Sequence, residues 1–126
     1  MKLIFIWLIL TALFIPDLSI REEFHSQKIT QAYLDETQSD AQWDLNPLVM
    51  AYVGVSETMM AENAFWPGEK WNYFNSGKEK IEKAIDQNKD NPELRYLRLL
   101  VQLNAPSFLS YDESIEKDLE FYINNI

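Results

Sequence analysis

At 126 residues the chain has room for one compact domain, and four Trp, six Tyr and seven Phe supply more apolar surface than a disordered chain carries. A formal net charge of −9, from 11 Lys and Arg against 20 Asp and Glu, argues against nucleic acid and anionic membrane surfaces as main ligands, because both need clustered cations. The absence of Cys removes disulfides and thiolate chemistry, so stability must come from packing.

The first residues differ from the rest. Lys2 precedes an apolar run from Leu3 to Ile15, broken only by Thr11 and closed by Pro16 and Asp17. The run falls short of the roughly 20 residues a helix needs to span a bilayer, so residues 1–19 read as a signal peptide, with an uncleaved anchor as the alternative. The expected location is therefore the periplasm or the extracellular space, and the membrane is met only through this segment if it is kept.

Residues 20–45 read as a leader, a first helix and a connector. Arg21 to Ser26 is the leader, and Ile29, Ala32 and Tyr33 share helical spacing within Gln27 to Gln38. Residues 39–44 form a polar connector that contains Trp43. The acidic excess is concentrated in the first half: Glu22, Glu23, Asp35, Glu36, Asp40, Asp44, Glu57 and Glu62 stand against Arg21 and Lys28.

Residues 46–126 form the helical core. Asn46-Pro47 supplies a cap and a proline at the first helical position, predicting a second helix to about Asn63 with Leu48, Ala51, Tyr52, Val55, Met59 and Met60 on its buried face. Gly54 on this helix marks a place where another helix can approach closely. After Trp66-Pro67-Gly68, a third helix is predicted from about Glu69 to Asn88, continuing across Gly77 at a cost of about 1 kcal/mol. Asn91-Pro92 opens a fourth helix with Leu94, Leu97, Val101 and Asn104 on one face, and Pro106 stops it. Ser110 and Glu113 have capping-box spacing and predict a fifth helix whose buried stripe is Ile115, Leu119, Tyr122 and Ile123. No segment alternates as a strand does, so the expected fold is all-α: about five helices in antiparallel hairpins.

Tyr73-Phe74-x-x-Gly77-Lys78, Ala84-Ile85 and Asn91-Pro92 together resemble the helix-loop-helix of a tetratricopeptide-type repeat, with Ala51-Tyr52-x-Gly54 resembling its first helix. Residues 47–122 further resemble a family of small, uncharacterised exported bacterial proteins that share Glu93-Leu94-Arg95-Tyr96-Leu97-Arg98 and Ala105-Pro106-x-Phe108-Leu109-x-Tyr111. The resemblance implies a compact tetratricopeptide-like helical array and carries no activity, cofactor or site residues.

Catalytic signatures are sparse. The chain has a single His, His25, placed in the leader, and no Asp-x-Asp-x-Asp-Gly loop, phosphate loop or dinucleotide glycine pattern, so no catalytic, cofactor or metal residues are assigned. Paired carboxylates such as Glu57 and Glu62 are the remaining route to acid and base chemistry. Arg95, Arg98 and Gln102 recur at three and four on one side of the fourth helix. Two readings stand for them: ion pairs to Glu93, Asp112, Glu116 or Asp118 that tie the last two helices together, or a grip on the carboxylate or phosphate of a ligand or partner. Trp66, Trp71, Tyr73 and Phe74 with Met59 and Met60 read as core, with Trp66 and Trp43 as candidate partner contacts on exposed loops. The expected function is an exported binding or interaction module for an envelope or secreted protein. A small carboxylate-dependent envelope enzyme and a purely structural subunit of an exported complex are the rivals.

Overall fold

The computed structural model describes Arg21, Phe24, His25 and residues 46–126. The expected signal segment, the predicted helix at Gln27 to Gln38 and Trp43 lie outside the described residues. Those residues form an all-α fold: α1 (Pro47–Asn63), α2 (Pro67–Gln87), α3 (Pro92–Asn104), a 3-10 turn (Ser107–Leu109) and α4 (Ile115–Asn125), with helical backbone also at Arg21, Phe24 and His25.

Local chemistry sets most of the boundaries. The Asn46 side chain accepts from Leu48 N at 3.0 Å, and Asn91 accepts from Glu93 N at 2.9 Å, each just ahead of a proline whose missing N–H costs the first turn nothing. α2 begins at Pro67, slightly earlier than its predicted start, and runs unbroken through Gly77 as expected. α3 ends at Asn104, ahead of Pro106.

α1 and α2 form an antiparallel hairpin that crosses at two glycines. A Cβ on Gly54 would sit 2.6 Å from the Gly77 carbonyl oxygen, and one on Gly77 would collide with the Gly54 carbonyl and, at 2.7 Å, with Thr58 Cγ2. Gly77 is therefore kept inside a helix, despite its propensity cost, because the backbones touch there. Above this crossing Glu57 reaches Lys80 at 2.8 Å, and Lys80 also donates to Ser76 Oγ at 2.7 Å.

α1 is the central element. The sequence predicts one buried face, but every residue from Leu48 to Thr58 is buried, including Val49, Met50 and Val53, while Met59 is exposed. A helix that is apolar nearly all round has no solvent face to show, and both α2 and α3 pack against it. The core gathers Tyr52, Met50, Val55, Ile81, Ala84, Leu94 and Leu97. The expected leader residues are docked onto it: Phe24 is buried edge-on against Tyr52 at 5.3 Å, and Arg21 donates from Nε and Nη2 to the two carboxylate oxygens of Glu93, at 2.6 and 2.7 Å.

Two expectations for the C-terminal helix fail. Ser110 does not cap it; Ser110 closes the 3-10 turn in the left-handed region (φ 53°, ψ 42°), and α4 starts at Ile115. Ser114, at the cap position, makes no side-chain cap; instead its N–H donates to Gln102 Oε1 at 3.0 Å, so a side chain of α3 holds the start of α4. Nor is the expected stripe the buried one: Leu119 and Ile123 are exposed, Ile115 and Tyr122 are half-buried, and the fully buried residue of α4 is Asp118. The expected aromatic core divides as well. Phe74 is buried against Tyr111 and Tyr73 is half-buried, whereas Trp66 and Trp71 are exposed.

Replacing Gly77 with Ala should lower stability. The better helix propensity gains about 1 kcal/mol, but two backbones must part, which costs about 3 kcal/mol as overpacking. The net loss of about 2 kcal/mol should read as a Tm drop on the order of 10 °C by differential scanning calorimetry.

Candidate functional site

Arg95, Arg98 and Gln102 converge on one carboxylate. Arg98 donates from Nε to Asp118 Oδ2 at 2.7 Å and from Nη2 to Oδ1 at 2.6 Å, a two-pronged contact that matches the guanidinium fork. Gln102 Nε2 donates to Oδ2 at 2.8 Å, and Arg95 Nη1 reaches Oδ1 at 3.3 Å while its guanidinium lies over the Phe121 ring. Arg98 Nη1 also binds Glu82 Oε2 of α2 at 3.0 Å, and Tyr111 donates its hydroxyl to Glu82 Oε1 at 2.7 Å. Two arginines thus meet two carboxylates, and α2, α3, the following loop and α4 are joined in one charge-balanced clasp.

The balance matters because Asp118 has no exposed surface, and an unpaired charge there would be intolerable. Burial depresses the Arg98 pKa, but the Asp118 hydrogen bonds and the Glu82 and Asp118 charges outweigh it and leave the guanidinium more firmly protonated than usual. Arg98 and Gln102 are buried, with their donors directed to Asp118 and Glu82. Sequence spacing groups the three α3 residues and includes Asp118 among their possible acids; Glu82 escapes it, because helical periodicity on α2 carries no information about which neighbour crosses it.

A second polar node joins the N-terminal residues to α1 and α3. Glu93 accepts from Arg21 and, at 2.6 Å, from the Tyr52 hydroxyl. Burial first, then the hydrogen bond to Glu93, raises the Tyr52 pKa well above the ordinary phenol value; burial and then Glu82 raise that of Tyr111 likewise.

Among the described residues, a feature able to receive a ligand is an open apolar groove of about 870 Å³. Val55, Thr58 and Met59 of α1 form one wall, Lys70, Trp71 and Phe74 of α2 another, and Tyr96, Leu100 and Val101 of α3 the third. Phe24 and His25, and Phe108 and Leu109 of the 3-10 turn, also contribute to the lining. Its floor is core (Val55, Phe74, Val101), while Trp71, Met59 and Phe108 are exposed at its rim, Trp71 at 56% and Phe108 at 81%. Such volumes and linings are those of ligand-binding clefts between helices. Of the sequence candidates, Trp66 is exposed and packs edge-on against Phe65 outside this lining. The residues that sequence reading missed are Tyr96, Leu100 and Phe108. Tyr96 and Phe108 stand in the sequence only as members of the two segments that carry the family resemblance, and Leu100 looks like an ordinary helix position.

Among the described residues no group of His and acidic side chains is arranged to hold a metal ion, and no helix is long and apolar enough to cross a membrane. Glu57 turns to Lys80 across the hairpin, whereas Glu62 is exposed at the groove's edge. Fold and site together define a helical protein with an aromatic-rimmed interhelical groove. No protein-family model, no curated protein and no solved structure matches the chain.

Removing one partner of the clasp should cost far more than removing both. Asp118→Ala or Arg98→Met alone should lose about 3–5 kcal/mol in urea unfolding, while the Asp118→Leu, Arg98→Met pair should recover most of that loss. Alkaline pH gives a second check. Tyr52 and Tyr111 hold their protons more tightly folded than unfolded, so their contribution is complete below the unfolded phenol value near pH 10 and fades as pH rises beyond it. Phenolate absorbance should show Tyr52 and Tyr111, with Tyr96 raised by burial beside them, titrating late together with the loss of helical circular dichroism; Tyr111→Phe should remove one late-titrating tyrosine.

Proposed function

We propose that the protein is an exported, non-catalytic helical binding module whose groove receives apolar side chains of a protein partner in the cell envelope or secreted with it. The single observation that carries this reading is the groove itself: an apolar cleft of about 870 Å³ that keeps Trp71 and Phe108 in water at its rim. Large aromatic side chains held exposed around a pre-formed cleft cost solubility, and aromatic anchors dominate binding energy at protein interfaces. A tetratricopeptide-like hairpin arrangement fits the same reading, since such arrays act by presenting concave surfaces between helices. The carboxylate-dependent enzyme draws less support: Glu57, Glu82 and Asp118 are engaged with Lys80 and Arg98.

Crosslinking from defined positions tests the proposal. A photoreactive phenylalanine analogue at Phe108 should trap a reproducible protein in envelope extracts, and the same analogue at Glu79, exposed on α2 outside the groove, should not. Trp71→Asp should abolish the Phe108 adduct with Tm unchanged within a few degrees. Equal labelling from both positions, or an adduct indifferent to Trp71→Asp, would refute groove-directed binding.

A further inference from the structure

The clasp at Asp118 has a geometric by-product on the opposite side of α4. Because Asp118 is turned into the body, the residues next round the helix, Leu119 and Ile123, are turned out, at 45% and 57% exposure, one helical turn apart. α3 runs antiparallel beside α4, with Gln102 against Ser114 and Arg95 against Asp118, and adds Leu103 at 62% exposure. Between the two helices the Tyr96 and Tyr122 rings meet at 5.6 Å and form a half-buried apolar floor. This is a shallow two-helix face, separate from the groove except at Tyr96.

Its charged border has one sign. Glu116 and Glu120 stand one turn apart, each three residues before an exposed apolar residue (Leu119 and Ile123), and Asp112 and Glu113 precede the helix; all four are exposed. None of the four has an ion-pair partner among the described residues. Lys117, the one cation of α4, lies roughly 160° round the helix from Leu119.

We infer that this α3–α4 face docks an amphipathic helix whose apolar stripe is flanked by Lys or Arg. The apolar residues supply the contact, and the unpaired acids select the flank, because like charges set against Glu116 and Glu120 are repelled and opposite ones attracted. A second copy of the chain is the wrong occupant on two counts. An antiparallel two-fold contact would bring one acidic row against its twin, and in either orientation a few exposed apolar residues fall far short of the roughly 20–30 residues a side of a stable dimer. The proposal is independent of what occupies the groove.

The test is fluorescence anisotropy of the full chain with two labelled designed helical peptides, both carrying Leu at i, i+4 and i+7, one flanked by Lys and the other by Glu. The Lys-flanked peptide should bind at least about tenfold more tightly, a difference that should shrink with added salt. Ile123→Asp should abolish binding, while Trp71→Asp, in the groove, should leave it intact. Should Ile123→Asp fail to fold, the surface pair Glu116→Lys and Glu120→Lys decides: it should reverse the preference toward the Glu-flanked peptide. Equal binding of both peptides, an unreversed preference, or sedimentation showing a dimer that Ile123→Asp dissociates would overturn the inference.

Discussion

The structure turns on one fully buried carboxylate. Asp118 is held by Arg98, Arg95 and Gln102, and through Arg98 it is tied to Glu82 and so to α2. A buried ion pair is a poor source of net stability compared with apolar packing, but it is exacting in geometry, since a guanidinium fork meets a carboxylate in few ways. That explains an otherwise unfavourable arrangement: α4 has an apolar stripe available and does not bury it fully. Sinking Leu119 and Ile123 would rotate Asp118 away from two desolvated guanidiniums, and the charge requirement prevails over the hydrophobic one.

The N-terminal node works in a related way with a different balance. Glu93 is only half-buried and accepts from Arg21 and Tyr52, so its ion pair keeps access to water and contributes modestly. Anchoring there rests on Phe24, whose ring packs edge-on against Tyr52 inside the core. Aromatic burial supplies the energy, and the arginine supplies the register. His25 meets Phe24 edge to face and lies 6.2 Å from Tyr96, and all three residues line the groove.

How much of this could be read from the chain alone depends on the range of the interaction concerned. Asn46-Pro47 and Asn91-Pro92 act within a turn, and both helix starts were legible. Gly54 signalled close approach correctly, but its counterpart Gly77 looked like a weakness, because the carbonyl it accommodates belongs to another helix. Ser110 and Glu113 satisfied a local capping pattern and were overridden by Gln102, a competitor that is remote in sequence. The stripe on α4 was periodic and still mostly exposed, since periodicity identifies an apolar face without saying what covers it. The groove was least legible: among the described residues its lining comes from three helices, a turn and two N-terminal residues, and Trp71, Phe74 and Met59 read simply as core.

The glycine crossing has a consequence for how this surface can vary. All α1 and α2 residues that line the groove lie on the interhelix-turn side of Gly54 and Gly77. The spacing of the two helices is thus fixed by the absence of two methyl groups, at two positions that are not themselves part of the groove lining. Framework and recognition are written in separate letters of the sequence. The rim can exchange one aromatic for another, and so change what it accepts, while the hairpin keeps the same gauge.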